Sequence, residues 1–386
     1  MKISLPLLFA IASAWGYPLA AAPVNFLPQP LLKETEDGFR VPQPGYQFVF
    51  PRDHGSHPDF KVEWWYLTGH LFGPDKERFG FQATFFRKAN TPPREQGSGG
   101  SKTFRSDEVF LFHAALLEVE SGRFIHTERL ARSGWDANAS SSGLSVRVGE
   151  ARLSAVDGQE DRFTLDASIR AEAGFSLKLE AQKPVVVFGK DGVSRKGESA
   201  TAASWYLTFP RMQARGEVRV KERLIPVEGL VWMDHEISSS QLTEEQAGWD
   251  WAGIQFEDGR EIMVYRLRRK DGATDSASAL SWVDREGKAT YYGASEFQWE
   301  TNGVWRSSES GAKYPLPVRL KAPDPVTGSL VEWILEPLSN QQELDGAVSG
   351  VPYWEGACRV LREGREVGSA YVELTGYAGA LGRALR

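Results

Sequence analysis

No stretch of this chain carries the apolar spacing of an amphipathic helix of twelve or more residues; instead, apolar and aromatic residues alternate in runs of six to twelve between turn signals. Alternation with period two puts successive side chains on opposite faces of a strand, so the pattern confines the chain to antiparallel β architecture. The clearest runs are 62–72 (VEWWYLTGHLF), 79–87 (FGFQATFFR), 109–119 (VFLFHAALLEV) and 174–181 (GFSLKLEA). Gly73-Pro74-Asp75, Ser121-Gly122, Asp157-Gly158 and Asp191-Gly192 separate the strands, and each supplies residues that tolerate turn dihedrals. GSGGS at 97–101 reads as a surface loop, since neither a Gly-Lys-Ser/Thr nor a GxGxxG pattern is present.

A second series opens near Glu228: 228–233, 249–257, 260–268, 290–299, 330–336, 353–361 and 368–376, with Asp258-Gly259 as a hairpin signal between two of them. The most helix-like piece, Ser240 to Ala247, is short. The expected fold is all-β, with two antiparallel barrels or sandwiches in tandem joined near 225–245. Trp65-Tyr66-Leu67-Thr68 recurs as Trp205-Tyr206-Leu207-Thr208, and these two strands would pair if they opened and closed one barrel.

Composition narrows the function. A net charge of −6 over 386 residues leaves no basic footprint for nucleic acid or an anionic membrane surface. The single cysteine, Cys358, excludes an internal disulfide and any CxxC motif. Thirteen Trp, eleven Tyr and twenty-one Phe supply enough aromatic surface to fill cores and still line an apolar cavity. At the N-terminus, Lys2, the apolar run Ile3 to Trp15 and the small residues Ala20-Ala21-Ala22 form a secretory signal, with cleavage near Ala21 or Ala22. The expected location is therefore periplasmic or secreted, with the domains dividing as 1–22, 23–235 and 236–386 and no membrane segment after the signal.

Two acidic clusters carry potential chemistry. Glu63 precedes Trp64-Trp65-Tyr66; facing inward, it would be desolvated, with a raised pKa suited to proton donation, and facing outward with Trp65 it would leave Trp64 and Tyr66 to fill the core. Trp232-Met233-Asp234-His235-Glu236 lies at the domain junction, where an acid/base pair or a buried structural network are both open readings. In an extended segment Asp234 and Glu236 share one side and His235 points to the other. Trp249, Trp251 and Tyr265 add aromatic faces that could line a cavity and stabilise a developing cation, or simply pack as core. His54 and His57 lie three apart beside Asp53, but no third ligand has supporting spacing, and no pattern supports a nucleotide or metal cofactor. His70 and His113 read as hydrogen-bonded strand residues. A GxSxG elbow is absent, so serine hydrolysis gains no support.

HPDFKVEWWYLTGHL at 57–71, SWYLTFPRM at 204–212, and GLVWMDHEISSSQL with GWDWAGIQFEDGREIMVYRLRRKDG across 229–272 resemble the AttH-like secreted proteins. Their superfamily also holds the carotenoid 1,2-hydratases, and YWEGACRV at 353–360 and AYVELTGY at 370–377 are similar to that superfamily's closing hairpin. The resemblance implies two lipocalin-like β-barrels in tandem. It also implies either a secreted hydrolase without defined substrate or, as for characterised relatives, a hydratase or cyclase acting on apolar molecules. In the carotenoid hydratases the junction histidine and a Tyr with a nearby acid on the next hairpin serve water addition; His235 and Tyr265 match the first two, whereas Val264, Arg266 and Leu267 leave the acid absent.

The reading is an exported lipocalin-like protein that binds an apolar, isoprenoid- or lipid-like ligand through Trp64, Tyr66, Trp232, Trp249 and Trp251. Catalysis, if present, would use Glu63, Asp234, His235, Glu236 and Tyr265, with no cofactor. The alternative is a non-catalytic carrier or accessory protein of an envelope export system.

Overall fold

The computed structural model describes residues 29–93 and 108–379. Residues 1–22, expected to be a secretory signal, and the GSGGS run lie outside them. The strand runs reappear almost to the residue, for example Val62–Phe72, Arg78–Ala89, Glu108–Glu118, Ala173–Ala181 and Glu261–Arg269. Within the described residues the helical content is one 3-10 turn, Arg52–His54, and no helix is long and apolar enough to cross a membrane.

The strands form two large antiparallel sheets, as expected for tandem lipocalin-like barrels, and a two-stranded ribbon of Trp305–Arg306 with Lys313–Tyr314. The first runs from Arg123–Arg132 through Glu108–Glu118, Arg78–Ala89, Val62–Phe72, Arg223–Ser240 and Ala203–Val220 to the short strands ending at Ala137–Ala139. A bridge between Ser133 and Ala137 brings its two ends together, so this sheet is a nearly closed barrel. The second sheet is a half-barrel built around Gln246–Phe256, Glu261–Arg269, Tyr353–Arg362 and Arg365–Leu374. Strand Arg223–Ser240 stays with the first sheet past the 235/236 division, and the second sheet starts at Gln246.

Two expectations are modified. The run 290–299 is broken into Ala289–Gly293 and Gln298–Thr301. The Trp-Tyr-Leu-Thr strands do not pair with each other but flank Arg223–Ser240 on either side, with Trp65 opposite His235 and His235 opposite Leu207. The repeat thus marks two equivalent neighbours of one long strand, a relation that spacing along the chain cannot express.

The first barrel is filled. Trp65, Leu67 and Leu71 point inward to meet Phe81, Phe85, Phe112 and Met233, all at most 2 % exposed. Burial of so much aromatic and aliphatic surface, at about 25 cal/mol per Å² of apolar area, is the main drive for closing the sheet. The other face of Val62–Phe72 carries Trp64, Tyr66, Thr68 and His70 toward the second sheet. There Tyr66, Tyr206, Trp232, Trp251, Met263, Tyr265 and Tyr371 make a separate interdomain core.

The sheets touch closely where Gly80 meets Ala357: a Cβ on Gly80 would lie 2.5 Å from that of Ala357, so a side chain there would wedge the sheets apart. His70 donates from Nε2 to the Ala370 carbonyl (3.0 Å), and burial pushes its pKa down to about 3, so it is a neutral tie between sheets. His113 pairs with the Tyr353 hydroxyl (2.8 Å) in the same way. Lys183 and Arg211 clamp Glu261 across the junction at 2.6 Å each.

Candidate functional site

Between the two sheets lies a cavity of about 420 Å³. Trp64, Tyr66, Phe86 and Tyr206 line it from the first sheet, and Trp249, Trp251, Tyr265 and Leu267 from the second. The volume falls within the range of small-molecule pockets, and the aromatic lining suits an apolar occupant. Several acidic groups share the lining.

Glu355 and Glu373 are directly opposed across the antiparallel pair Tyr353–Arg362 and Arg365–Leu374, and both line the cavity. Glu355 is fully buried, with the hydroxyls of Tyr66 and Tyr353 as its polar neighbours. Burial, reinforced by the charge of Glu373, holds its carboxyl well above the usual range. Glu373 accepts a hydrogen bond from Trp249 Nε1 (2.7 Å); burial and the nearby Asp234, Glu236 and Asp250 charges still raise its pKa to about 7. Two carboxyls so placed cannot both ionise cheaply, so near neutral pH the pair holds a proton. Sequence reading passed over both residues. The signal was the one that singled out Glu63, an acid inside an aromatic strand, and it recurs in YWEGACRV and AYVELTGY.

Asp234 faces the same cavity at 3 % exposure. It accepts from Tyr206 Oη (2.7 Å), Thr208 Oγ1 (2.5 Å) and Trp232 Nε1 (2.8 Å), yet burial outweighs these donors and pushes its pKa up to about 7. Trp251 Nε1 in turn donates to Tyr206 Oη (2.9 Å). Tyr206→Phe should therefore cost about 1–3 kcal/mol by orphaning the buried indole N–H. It should also move the Asp234 titration, followed by tryptophan fluorescence, to higher pH. An unchanged midpoint would contradict this network. Beside it, Lys196 Nζ pairs with Glu236 (2.8 Å) and sits over the rings of Tyr206 and Tyr265, while Tyr265 Oη bonds Ser194 Oγ (3.0 Å).

His235 points the other way. Its ring stacks on Trp65 in the first barrel (4.8 Å between centroids) and its Nε2 lies 2.9 Å from Glu63 Oε1. Glu63 is on the same inward face, fully buried. Its carboxylate also meets His57 Nδ1 (2.9 Å), Ser56 Oγ (3.1 Å), the His57 backbone N–H (2.9 Å) and Arg87 Nε (3.2 Å). Burial alone would raise its pKa, but the hydrogen bonds of His235 and His57 and the charges of His57 and Arg87 hold it well below the usual range. The expectation of a raised pKa at Glu63 is thus reversed: four partners keep it ionised, and it cannot serve as a ready proton donor. His57 is held up at about 9, chiefly by hydrogen bonds to Asp53 and Glu63 that overcome burial. His57, Glu63 and His235 are also the residues whose donor atoms come together as a possible metal-ligand set.

Of the aromatic residues read from sequence as ligand contacts, Trp64, Tyr66, Trp249 and Trp251 line the cavity, whereas Trp232 supports Asp234 from behind. Of the acid/base candidates, Asp234, Glu236 and Tyr265 line it, Glu63 borders it with its carboxylate engaged by the first-barrel cluster, and His235 does not line it. No acid flanks Tyr265 in the sequence, and Glu355 and Glu373 line the same cavity from other strands.

The AttH-like family model matches residues 41–377. Among solved structures, a putative AttH from Nitrosomonas europaea is 32% identical with a TM-score of 0.76, covering 87% of this chain and 98% of its own. Kievitone hydratase from Nectria haematococca shares the fold at 14% identity and a TM-score of 0.64, covering 91% of this chain and 98% of its own. CghA shares it at 11% identity and a TM-score of 0.51, with 90% and 98% coverage. No curated protein matches the sequence. The match over nearly all of the described chain, with that identity to an AttH structure, places it: the chain belongs to the AttH-like family.

Proposed function

We propose that this protein is exported, binds an unsaturated apolar molecule of isoprenoid or lipid type in the cavity between its two sheets, and transforms it by acid catalysis. The observation that carries the reading is the Glu355–Glu373 pair, two opposed, fully buried carboxyls facing an aromatic cavity. A buried carboxyl kept protonated near neutral pH is a proton donor in waiting, and a carrier has no need of one. In the proposed step the acid O–H bond breaks as a C–H bond forms on the alkene. The resulting cation lies against the faces of Trp64, Trp249 and Trp251. Water then adds to the cation and returns its proton to the pair, giving an alcohol; if an internal nucleophile intercepts the cation instead, the product is a ring. Asp234, near its own pKa, and the Glu236–Lys196 pair give the occupant's oxygenated end a place to bind.

Native mass spectrometry with lipid extraction, on protein purified from its own host, tests the reading. The expected result is one co-purifying apolar molecule per chain, displaced competitively, and converted on incubation to a product heavier by one water or isomeric with it. A ligand that binds and leaves unchanged under all conditions would replace the enzyme with a carrier, including an accessory role in an envelope export system.

A further inference from the structure

We propose that His57, Glu63 and His235 form a binding site for one divalent transition-metal ion, with zinc the best match, at the end of the first barrel. Three segments distant in the chain deliver the donors: the loop after the 3-10 turn, strand Val62–Phe72 and strand Arg223–Ser240. His57 Nδ1 and His235 Nε2 both approach the same oxygen, Glu63 Oε1, at 2.9 Å, and all three donor atoms lie within 4.8 Å of one another. Two imidazoles and one carboxylate are the donors of an open zinc site with one position left for water. Tetrahedral coordination at about 2.0–2.1 Å separates ligand atoms by about 3.4 Å, so each 2.9 Å contact need open by only about half an ångström.

The surroundings orient each donor as a metal site requires. Asp53 Oδ1 stands 3.5 Å from His57 Nε2, and Asp53 is itself fixed by the Val49 N–H and the Arg52 guanidinium at 2.7 Å each. The carboxylate thus faces the Nε2 edge of His57 at ion-pair distance, on the side where a tautomer-setting partner stands. The second oxygen of Glu63 is occupied by Ser56, the His57 N–H and Arg87, which directs Oε1 to the imidazoles. His235 is oriented by stacking on Trp65, which aims Nε2 at Glu63; its Nδ1 has no hydrogen-bond partner among the described residues, and binding the ion would move the ring proton from Nε2 to it. His54, by contrast, is turned away and stacks on Phe50.

Charge permits a cation. The ion must displace the proton that His57 carries between Asp53 and Glu63; with both imidazoles then neutral, Asp53, Glu63 and Glu108 face Arg52 and Arg87, a balance of one negative charge. Access is available from a small surface pocket of about 170 Å³ lined by Ser56, His57, Pro58, Ser141 and Trp205, through which the fourth ligand would be water. The ion would pin the loop carrying His57 onto the barrel. It is a site separate from the acid pair and does not depend on the proposed reaction.

The test uses the full chain, stripped with chelator and then titrated with ZnCl₂ or CoCl₂. One equivalent of zinc should survive gel filtration by elemental analysis, the cobalt form should show the intense visible bands of four-coordination, and Tm should rise with zinc concentration. His57→Ala, on a loop and partly exposed, should lower zinc affinity at least 100-fold without unfolding the protein, and Asp53→Asn about 10- to 100-fold. His126→Ala should leave binding unchanged. Failure to retain zinc at micromolar concentration, a six-coordinate cobalt spectrum, or binding indifferent to His57→Ala would overturn the site.

Discussion

Glu355→Gln is expected to lower turnover of the cavity's substrate by about two to four orders of magnitude, the usual contribution of a positioned general acid. The amide keeps the shape of the side chain but cannot donate the acid proton. Glu373→Gln should be less damaging, because the amide oxygen can still accept from Trp249 Nε1 and the remaining Glu355 can still be protonated. The pH profile gives the sign. Protonation is what the step needs, so the wild-type rate should fall as pH rises through the titration of the pair, with Glu373 near about 7.

Stability changes in a related way. A carboxyl with a raised folded pKa contributes stability that is present below the ordinary carboxylate pKa and lost as pH rises through the folded value. Glu355→Gln removes that loss, so the variant should gain stability relative to wild type as pH increases above about 4.5. Denaturant titrations at pH 4.5 and pH 8 read the difference. A variant that turns over at the wild-type rate, or whose relative stability is flat with pH, would remove Glu355 from the mechanism.

The second large effect is structural. Arg87→Met should destabilise the protein by about 3–5 kcal/mol, the cost of stripping one partner from a buried ion pair. Arg87 is 1 % exposed; it meets Glu63 through Nε, Glu108 through Nη1 (3.0 Å), and the His57 and Phe60 carbonyls through Nη2 (2.7 and 2.8 Å). Methionine fills much of the volume and satisfies none of these groups. The Glu63 carboxylate would lose its permanent cation, and two carbonyls of the 57–60 loop would lose their donor. Urea unfolding measures the change; a loss under 1 kcal/mol would mean that the imidazoles alone hold Glu63. The paired change of Arg87→Met with Glu63→Gln should recover part of the loss, since the uncompensated charge is then gone.

How far each feature could be read from the chain follows from the range of the interaction that sets it. Alternation in 62–72 and Asp258-Gly259 specify a strand and a hairpin locally, because side-chain period and turn dihedrals involve only neighbouring residues. Alternation also says that Asp234 and Glu236 share a side which His235 leaves, and the structure has them so. It cannot say which side is the interior. Both faces of Val62–Phe72 are rich in apolar residues, Trp65 and Leu67 on one and Trp64 and Tyr66 on the other, since the strand is buried between a barrel core and a second sheet. The face of Glu63 and His235 was therefore open until the barrel closed.

The pairing of Glu355 with Glu373 is a matter of cross-strand register, and the convergence of His57, Glu63 and His235 one of barrel closure. Composition and period thus determined that this protein is all-β and aromatic-rich. Only the tertiary structure decided which acids lose their water together and which gain a cation, because desolvation and ion pairing depend on neighbours brought in from far along the chain.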